Sequence, residues 1–289
     1  MEENNKPVFK PIAFIRLMRL NRTIMVAMIT GTGAFVSGSG AAMALRMALS
    51  GWLLAVGGFS LDFYADRDLD IKAPRILIRR NPLVNGSLST AAGLTFSIMF
   101  ISISFIAVVL TVPRALPFWF LILGVITGLA LHLFETPLLR ALTLGLLQAL
   151  YILMGGSAGH FSPGLFIASA MFFFAMFGGR GMIDIRDFPQ DTETPVQTFP
   201  KRYGVKRTAL FTTGCLAVSY ALSLAVYFTG EFTILYLYLD AIFIAVGVIC
   251  TVLFAVKPSP SLARSLTLVF MMGLGTLICL ALISGKIKI

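Results

Sequence analysis

Hydrophobic residues in this chain form long uninterrupted runs, without the strict alternation that a half-buried strand would give. Nine runs of 17 or more residues are each long enough to cross a hydrocarbon core of about 30 Å. Polar segments with glycine or proline, such as 38–40 and 258–260, separate them. The pattern predicts an all-α, polytopic membrane protein whose nine transmembrane helices cover approximately residues 19–37, 41–61, 90–112, 117–135, 138–157, 164–183, 208–229, 232–256 and 263–285.

The composition agrees with this class. Hydrophobic residues make up 57% of the 289 residues and charged residues only 12%, which excludes an ordinary soluble domain. We expect one integral membrane domain over residues 1–289, with no obligate protein partner. The polar, basic segment 1–22 has no small-residue cleavage site after a short apolar core, so we expect no cleaved signal peptide.

The basic residues behind the net charge of +10 are distributed as membrane topology requires, and they do not form a surface for nucleic acid. With the N-terminus in the cytoplasm, 19 of the 23 lysines and arginines fall on cytoplasmic segments. The distribution predicts a protein of the inner or plasma membrane, with its two longest connections, 62–89 and 184–207, on the cytoplasmic face. No soluble basic domain remains to bind a nucleic acid.

These two connections carry eight of the 13 acidic residues. Four predicted helices separate them, which indicates a duplicated four-helix unit with its axis along the membrane normal. Such a repeat would bring the acidic groups face to face across a central cavity. The first group has aspartates four residues apart and the second nearly repeats that spacing: Asp62, Asp66 and Asp70, then Asp184, Asp187 and Asp191.

Aspartates four residues apart lie on one face of a helix and repel one another unless a cation is bound. A few carboxylates that leave room for water and phosphate oxygens are the usual ligands of Mg²⁺. Nearby cations suit the outer oxygens of a diphosphate; they are Arg67, Lys72, Arg79, Arg80, Lys201 and Arg202. Together with an apolar cavity, the two groups predict a lipid diphosphate substrate held by Mg²⁺.

Other polar residues are expected to lie outside this chemistry. Asp68 and Glu193 fall off the acidic stripes, so we expect them to be solvated. His132, in the fourth predicted span, and His160, at a turn, have no partner at metal or triad spacing. We expect structural roles for both histidines.

The paired acidic motifs resemble those of the UbiA superfamily of intramembrane prenyltransferases, which has nine transmembrane helices. Its first motif reads approximately N-D-x-x-D-x-x-x-D, and here DFYADRDLD (62–70) fills that position, followed by RNPLVNGSLS (80–89). Its second motif reads like D-[IV]-x-D-x-x-x-D, and DIRDFPQD (184–191) matches it, with Thr-Phe-Pro at 198–200. The resemblance spans nearly the whole chain.

The resemblance implies an Mg²⁺-dependent transferase that ionises a polyprenyl diphosphate and joins the prenyl group to an acceptor, most often an aromatic ring. The catalytic metal–diphosphate ligands would be Asp66, Asp70, Asp187 and Asp191, supported by Asp62 and Asp184. A basic residue of the first helix also faces the cavity in the family, and the matching region here holds Arg19, Asn21 and Arg22.

Two departures from the family pattern concern the same site. Asp62 replaces the leading asparagine and Phe63 replaces the aspartate that follows it; because Asp62 keeps a ligand oxygen, we expect metal binding to survive. Many members carry a tyrosine and a lysine near the end of helix four. Here Phe134 or Glu135 lies in that region, and Arg140 does not match the position.

Several alternatives stay open from the sequence. A terpene cyclase of the same superfamily would need no acceptor, and other branches prenylate a lipid-phosphate alcohol or transfer a phosphoribosyl group. A transporter is a remote alternative, because the acidic residues cluster at one membrane face and only Asp240 stands alone within a span.

Overall fold

The computed structural model describes residues 10–71, 81–192 and 196–287, and within them the chain is helical. Besides the α-helices, the described residues contain a 3₁₀ turn (Pro113–Ala115) and a π-helical turn (Val269–Leu274). The helices are α1 (Lys10–Met18), α2 (Leu20–Val36), α3 (Gly40–Ala65), α4 (Arg67–Ile71), α5 (Thr90–Thr111), α6 (Leu116–Ala130), α7 (Pro137–Gly156), α8 (Pro163–Asp191), α9 (Phe199–Tyr203), α10 (Val205–Tyr227), α11 (Ile234–Val256), α12 (Pro260–Leu268) and α13 (Gly275–Gly285).

Each of the nine hydrophobic runs forms a helix. Eight helical segments in the described ranges are long and apolar enough to cross a membrane. The first run forms α2, whose 17 residues span about 26 Å, slightly less than a hydrocarbon core. Eight of the nine expected spans are therefore long enough in the structure to cross a membrane.

The helix boundaries follow the breakers in the sequence. Ser89, Thr136, Ser162 and Ser259 each accept a hydrogen bond from a backbone N–H three residues further on, which caps the first turn. Except after Ser89, proline occupies the first helical position, where its missing N–H costs nothing. Three helix ends differ from expectation by four residues or more: α3 continues from 61 to 65, α6 stops at residue 130 instead of 135, and α8 continues from 183 to 191.

The two halves of the bundle repeat one another in their hydrogen bonds. Two hydroxyl groups of α5 donate to carbonyls of α3, and two of α10 donate to carbonyls of α8 in the same pattern. The four bonds are Ser97 Oγ to Gly57 O (2.7 Å), Ser104 Oγ to Ser50 O (2.8 Å), Thr212 Oγ1 to Gly178 O (3.0 Å) and Ser219 Oγ to Met171 O (3.1 Å).

The accepting carbonyls differ by 121 residues between the halves, from 57 to 178 and from 50 to 171. The same offset carries Asp66 onto Asp187 and Asp70 onto Asp191. These two aspartate pairs therefore occupy corresponding positions of a duplicated unit, as the spacing of the motifs indicates.

The halves meet where α2 packs directly on α7. Any side chain at Gly33 would overlap the carbonyl oxygen of Ile152, and any side chain at Gly155 would overlap that of Thr30. Glycine is therefore required at both positions for the helix backbones to approach this closely. From α2, contacts run through α7, α8, α10, α11 and α13 back to α2, so these helices close a ring.

The ring encloses a cavity of about 150 Å³. Its walls are almost wholly apolar and come from α2, α7, α8, α10, α11, α12, the π-helical turn and α13. Five methionines line it: Met25, Met171, Met176, Met182 and Met271. Unbranched, flexible methionine side chains suit a surface that must adapt to a hydrocarbon chain.

Candidate active site

The site lies at the membrane face where α3 and α8 end, which we call the motif face. α3 delivers Asp62 inside its last turn and Asp66 directly after it, and the short α4 carries Asp70. The extension of α8 beyond the predicted span carries the whole second group of aspartates in helical conformation. Within this part of the helix Arg180 and Asp184, four residues apart, form an ion pair of 2.7 Å.

The first acidic group is compact and already paired with other side chains. Asp62 accepts a hydrogen bond of 3.0 Å from Arg19 Nη1, and Asp70 accepts one of 2.9 Å from Asn81 Nδ2. Burial, with the neighbouring charges of Asp62 and Asp70, raises the pKa of Asp66 to about 7. Burial also raises the pKa of Asp70, against the hydrogen bond from Asn81. Both shifts indicate a site that favours an added cation.

Asn81 also ties this group to the end of α3. The Asn81 side chain is fully buried, its Nδ2 donates to the carbonyl of Phe63 at 3.0 Å, and its Oδ1 accepts from the N–H of Leu83 at 3.0 Å. The segment that follows the first motif is therefore held against the acidic residues through Asn81. The sequence showed the motif segment around residue 81 but not this contact.

The second acidic group differs in how its members are held. Asp184 is 2% exposed; it pairs with Arg180 and accepts a hydrogen bond of 3.2 Å from the N–H of Phe199. Asp187 forms a two-pronged bond with the adjacent Arg186, at 2.8 and 2.5 Å. Asp184 therefore anchors the segment before α9, whereas Asp187 lies at the surface of the site.

The 121-residue offset places Phe63 opposite Asp184 in the repeat. The Phe63 ring lies 3.9 Å from the guanidinium carbon of Arg19, which in turn pairs with Asp62. The lost aspartate of the first motif is thus replaced by an aromatic ring that orients a cation toward the neighbouring carboxylate.

The predicted phosphate-binding residues differ in their surroundings. Lys201 Nζ donates to the carbonyls of Asp191 (3.1 Å) and Val196 (3.0 Å), so it lies beside the second acidic group. Arg22 is half-buried, while Asn21 and Arg202 are exposed. Arg67 contacts Asp68 at 3.5 Å, and the side chain of Asp68 is 85% exposed, as expected of a residue off the stripe. Lys72, Arg79 and Arg80 lie outside the described residues, as does Glu193.

His132 differs from the sequence expectation. It does not lie within a span but follows the end of α6 in a left-handed conformation (φ 55°), which lets the chain turn before α7. Its Nε2 is 3.4 Å from Asp66 Oδ1, so it belongs to the site. Local spacing could not reveal this partner, because 66 residues separate the two in sequence.

Arg140 is a charged neighbour of both acidic groups. It lies in the first turn of α7, and Asp66, Asp184 and Asp62 are among the charges that act on it. One side chain therefore interacts with carboxylates of both halves. The cavity comes close to this part of α8, since Gly179, Met182 and Ile183 line it and are interleaved in sequence with Arg180 and Asp184.

Comparison with known proteins bears directly on this arrangement. The model of the UbiA prenyltransferase family matches residues 22–274, which is most of the chain. The chain belongs to the UbiA prenyltransferase family. The match includes both acidic groups and, apart from α13 and the first two residues of α2, the helices of the ring.

The individual relatives share less than a third of their residues with this chain. The chain is 29% identical over 238 residues to a digeranylgeranylglyceryl phosphate synthase from Haloquadratum walsbyi, covering 77% of this chain and 78% of that protein. A solved digeranylgeranylglyceryl phosphate synthase has a TM-score of 0.76 at 21% identity, over 97% of this chain and 99% of its own. A UbiA homologue from Archaeoglobus fulgidus, bound to DMAPP and Mg²⁺, has a TM-score of 0.72 at 17% identity, over 94% and 99%. At these identities the solved structures show the shared fold.

Proposed function

We propose that this UbiA-family protein is an Mg²⁺-dependent intramembrane prenyltransferase, which moves a polyprenyl group from an allylic diphosphate to an acceptor and releases pyrophosphate. The observation that supports the proposal is that two acidic groups lie at the ends of α3 and α8, and that α8 also lines the apolar cavity. A substrate with a charged head and a hydrocarbon tail matches both parts of this site.

The donor set fits Mg²⁺, which takes carboxylate oxygens and keeps sites for water and phosphate. Within the described residues no three carboxylates, histidines or cysteines converge as a ready metal site. Burial, and for Asp66 also the charges of Asp62 and Asp70, nevertheless raises the pKa of both Asp66 and Asp70, so an added cation would stabilise their charged forms. The residues that would hold the metal are Asp66, Asp70, Asp187 and Asp191, with Asp62 and Asp184 in support.

Bound Mg²⁺ would stabilise the negative charge that develops on the leaving diphosphate. The chain's own cations add to this effect, because Arg22 and Lys201 lie at the same face with donors for phosphate oxygens. The bond between C1 of the prenyl group and the diphosphate oxygen breaks, and its electron pair leaves with pyrophosphate. The acceptor forms the new bond to C1, and the proton it loses leaves with the pyrophosphate.

The cavity supports the same chemistry. Its apolar walls accommodate the prenyl tail and exclude water, which would otherwise capture the allylic cation. Phe172, Phe243 and Phe270 present aromatic rings to this space and can stabilise positive charge.

Two acceptor classes are compatible with this site. The sequence favours an aromatic ring of the quinone or quinolone precursor type. The names of the two relatives, digeranylgeranylglyceryl phosphate synthases, favour instead a lipid alcohol that carries a phosphate. In the cell the motif face would be cytoplasmic, as the distribution of lysine and arginine predicts.

The test uses the full chain in lipid nanodiscs with geranyl, farnesyl or geranylgeranyl diphosphate. Pyrophosphate release is measured with and without Mg²⁺, first without an acceptor and then with an aromatic or a phosphate-bearing lipid acceptor. We expect release that requires both Mg²⁺ and an acceptor. A hydrocarbon product formed without an acceptor would favour the terpene cyclase, and no release under any condition would refute the proposal.

A matched pair of variants tests the metal ligands. Asp187→Asn should lower turnover by about 100-fold or more, because it removes a charge at the leaving diphosphate. Asp68→Asn, in the same region but exposed, should turn over normally. Equal activity of the two variants would contradict the assigned role of Asp187.

A further inference from the structure

One histidine beside the first acidic group has a ring nitrogen without a hydrogen-bond partner. The Nε2 atom of His132 is buried and forms no hydrogen bond with any described residue, although it lies 3.4 Å from Asp66 Oδ1. A buried nitrogen left in this state costs about 1–3 kcal/mol. The prenyl transfer described above gives this imidazole no role, so its position needs another explanation.

The backbone at His132 carries a second cost. Two hydrogen bonds end α6 in a Schellman turn: the N–H of Leu133 donates to the carbonyl of Gly128 at 3.0 Å, and the N–H of His132 donates to that of Leu129 at 3.1 Å. This turn places His132 in the left-handed region (φ 55°), where glycine is the usual residue and a side chain costs about 1 kcal/mol. The turn itself therefore does not require the imidazole.

The distance between His132 Nε2 and Asp66 Oδ1 suits two ligands of one metal ion. Nitrogen and carboxylate oxygen ligands both lie about 2.0–2.2 Å from a divalent ion. Two such atoms are about 3.0 Å apart at an octahedral angle and about 3.4 Å apart at a tetrahedral angle. The observed 3.4 Å falls at the upper end of this range. A metal ion between the two atoms would also be the partner that Nε2 lacks.

Asp66 differs from its neighbour Asp62 in the kind of group that contacts it. Asp62 is paired with Arg19, whose guanidinium has only hydrogen-bond donors and cannot bind a metal ion. Within the described residues, His132 is the side chain in ion-pair contact with Asp66, and a neutral imidazole nitrogen is a metal ligand. The pair His132–Asp66 therefore combines two side chains that can both bind one ion.

An imidazole can reach only the first acidic group. The chain has two histidines, and His160 follows the end of α7, whose 20 residues span about 30 Å from the motif face. The backbone N–H of His160 donates to the carbonyl of Ser37, at the end of α2. The position 121 residues after His132, which corresponds to it in the repeat, holds Leu253. The two acidic groups therefore differ in the ligands available to a metal.

We propose that His132 Nε2 and Asp66 Oδ1 are ligands of one divalent ion in the diphosphate site, and that the nitrogen ligand makes this position selective for a transition metal ion such as Co²⁺ or Zn²⁺ over Mg²⁺. The inference rests on the proposed metal-dependent transfer and defines the metal at one of its positions. Imidazole suits transition ions, whereas Mg²⁺ takes oxygen ligands. Water and diphosphate oxygens would complete the coordination, and the second acidic group keeps oxygen ligands that suit Mg²⁺.

The nitrogen ligand can be detected directly in the full chain. The protein is placed in nanodiscs in a nitrogen-free buffer and loaded with Mn²⁺, as a paramagnetic probe, and inorganic pyrophosphate. Pulsed electron paramagnetic resonance should show modulation from a directly bound ¹⁴N nucleus in the wild type. His132→Gly should lose this signal, while His160→Ala, at the opposite face, should keep it.

The glycine variant separates metal binding from the role of the turn. Because glycine favours the left-handed region, the melting temperature of His132→Gly without metal should equal or exceed that of wild type. Its dissociation constant for Co²⁺ should rise by about 10- to 100-fold, while that for Mg²⁺ stays within about 3-fold. His132→Asn also tolerates this backbone conformation but has a shorter side chain, so it should bind Co²⁺ as weakly as the glycine variant.

Three outcomes would overturn this inference. A wild-type protein without nitrogen modulation would have no imidazole ligand. A signal that survives in His132→Gly would come from another residue. Equal losses of Co²⁺ and Mg²⁺ binding in His132→Gly would show that His132 only positions Asp66. Failure of the proposed prenyl transfer would appear differently, as absent pyrophosphate release with either ion, because the metal measurements need no turnover.

Discussion

Replacement of Asn81 by alanine should destabilise the protein through the connection between α3 and the first acidic group. Asn81 is fully buried and makes three hydrogen bonds of 2.9 to 3.0 Å, to the carbonyl of Phe63, the carboxylate of Asp70 and the N–H of Leu83. Alanine removes all three and leaves two backbone groups without this side-chain partner.

The size of the effect follows from the lost bonds. An unsatisfied buried polar group costs about 1–3 kcal/mol, so two such groups, partly relieved by relaxation, should cost about 2–4 kcal/mol. For a chain of 289 residues that loss lowers the melting temperature by roughly 3–7 °C. Asp70 also loses the donor that fixes its position, so half-maximal turnover should require more Mg²⁺.

The chain supplies its own reporter for the measurement. Cys215 and Cys279 are buried, so a thiol-reactive fluorophore labels them only as the helices separate. Asn21→Ala is the matched control, because Asn21 is exposed and forms no side-chain hydrogen bond with the described residues; its melting temperature should stay within about 1 °C of wild type. An Asn81→Ala protein that melts with the control would refute the assigned role of these bonds.

Three further predictions concern packing, cavity size and pH. Gly33→Ala should prevent stable folding because its methyl group would overlap the α7 backbone, whereas Gly124→Ala, with open space at its Cβ, should melt normally. Gly179→Leu should fill part of the cavity and shift the preferred diphosphate to a shorter chain, an effect that Gly214→Leu on the exposed side of α10 should not share. Burial opposes the charged form of Glu231, but hydrogen bonds led by that from Lys286 outweigh it and lower its pKa. Its stabilisation should be complete above the ordinary value of 4.5 and lost as the pH falls through the lower folded value; Glu231→Gln should remove this step from a melting profile.

The sequence predicted those parts of the structure that depend on local pattern. Hydrophobic runs located the helices, and proline with serine or threonine caps located most of their starts. The spacing of Asp62, Asp66 and Asp70 indicated one acidic face, because residues four apart on a helix must share a side. The family motifs then indicated that a second group would complete the site.

The remaining features depend on contacts between distant segments, which no local spacing records. His132 reaches Asp66 because the turn after α6 lies beside the end of α3, and Arg140 has carboxylates of both acidic groups among its charged neighbours because α7 begins at the same face. The role of Asp184 could not be predicted from the sequence either. Its position in the motif is that of a metal ligand. In the structure it is buried and accepts a hydrogen bond from the N–H of Phe199, so it holds the start of α9 in place.

The pairing of acidic residues with the chain's own cations has a consequence for the order of binding. Arg19 neutralises Asp62, and Arg186 neutralises Asp187. A metal ion bound by these carboxylates, as proposed above, would release the arginines, whose donors would then be available to phosphate oxygens. Binding of metal and diphosphate would then be coupled, because each would free the groups that hold the other. By thermodynamic linkage, each should increase the affinity for the other by the same factor.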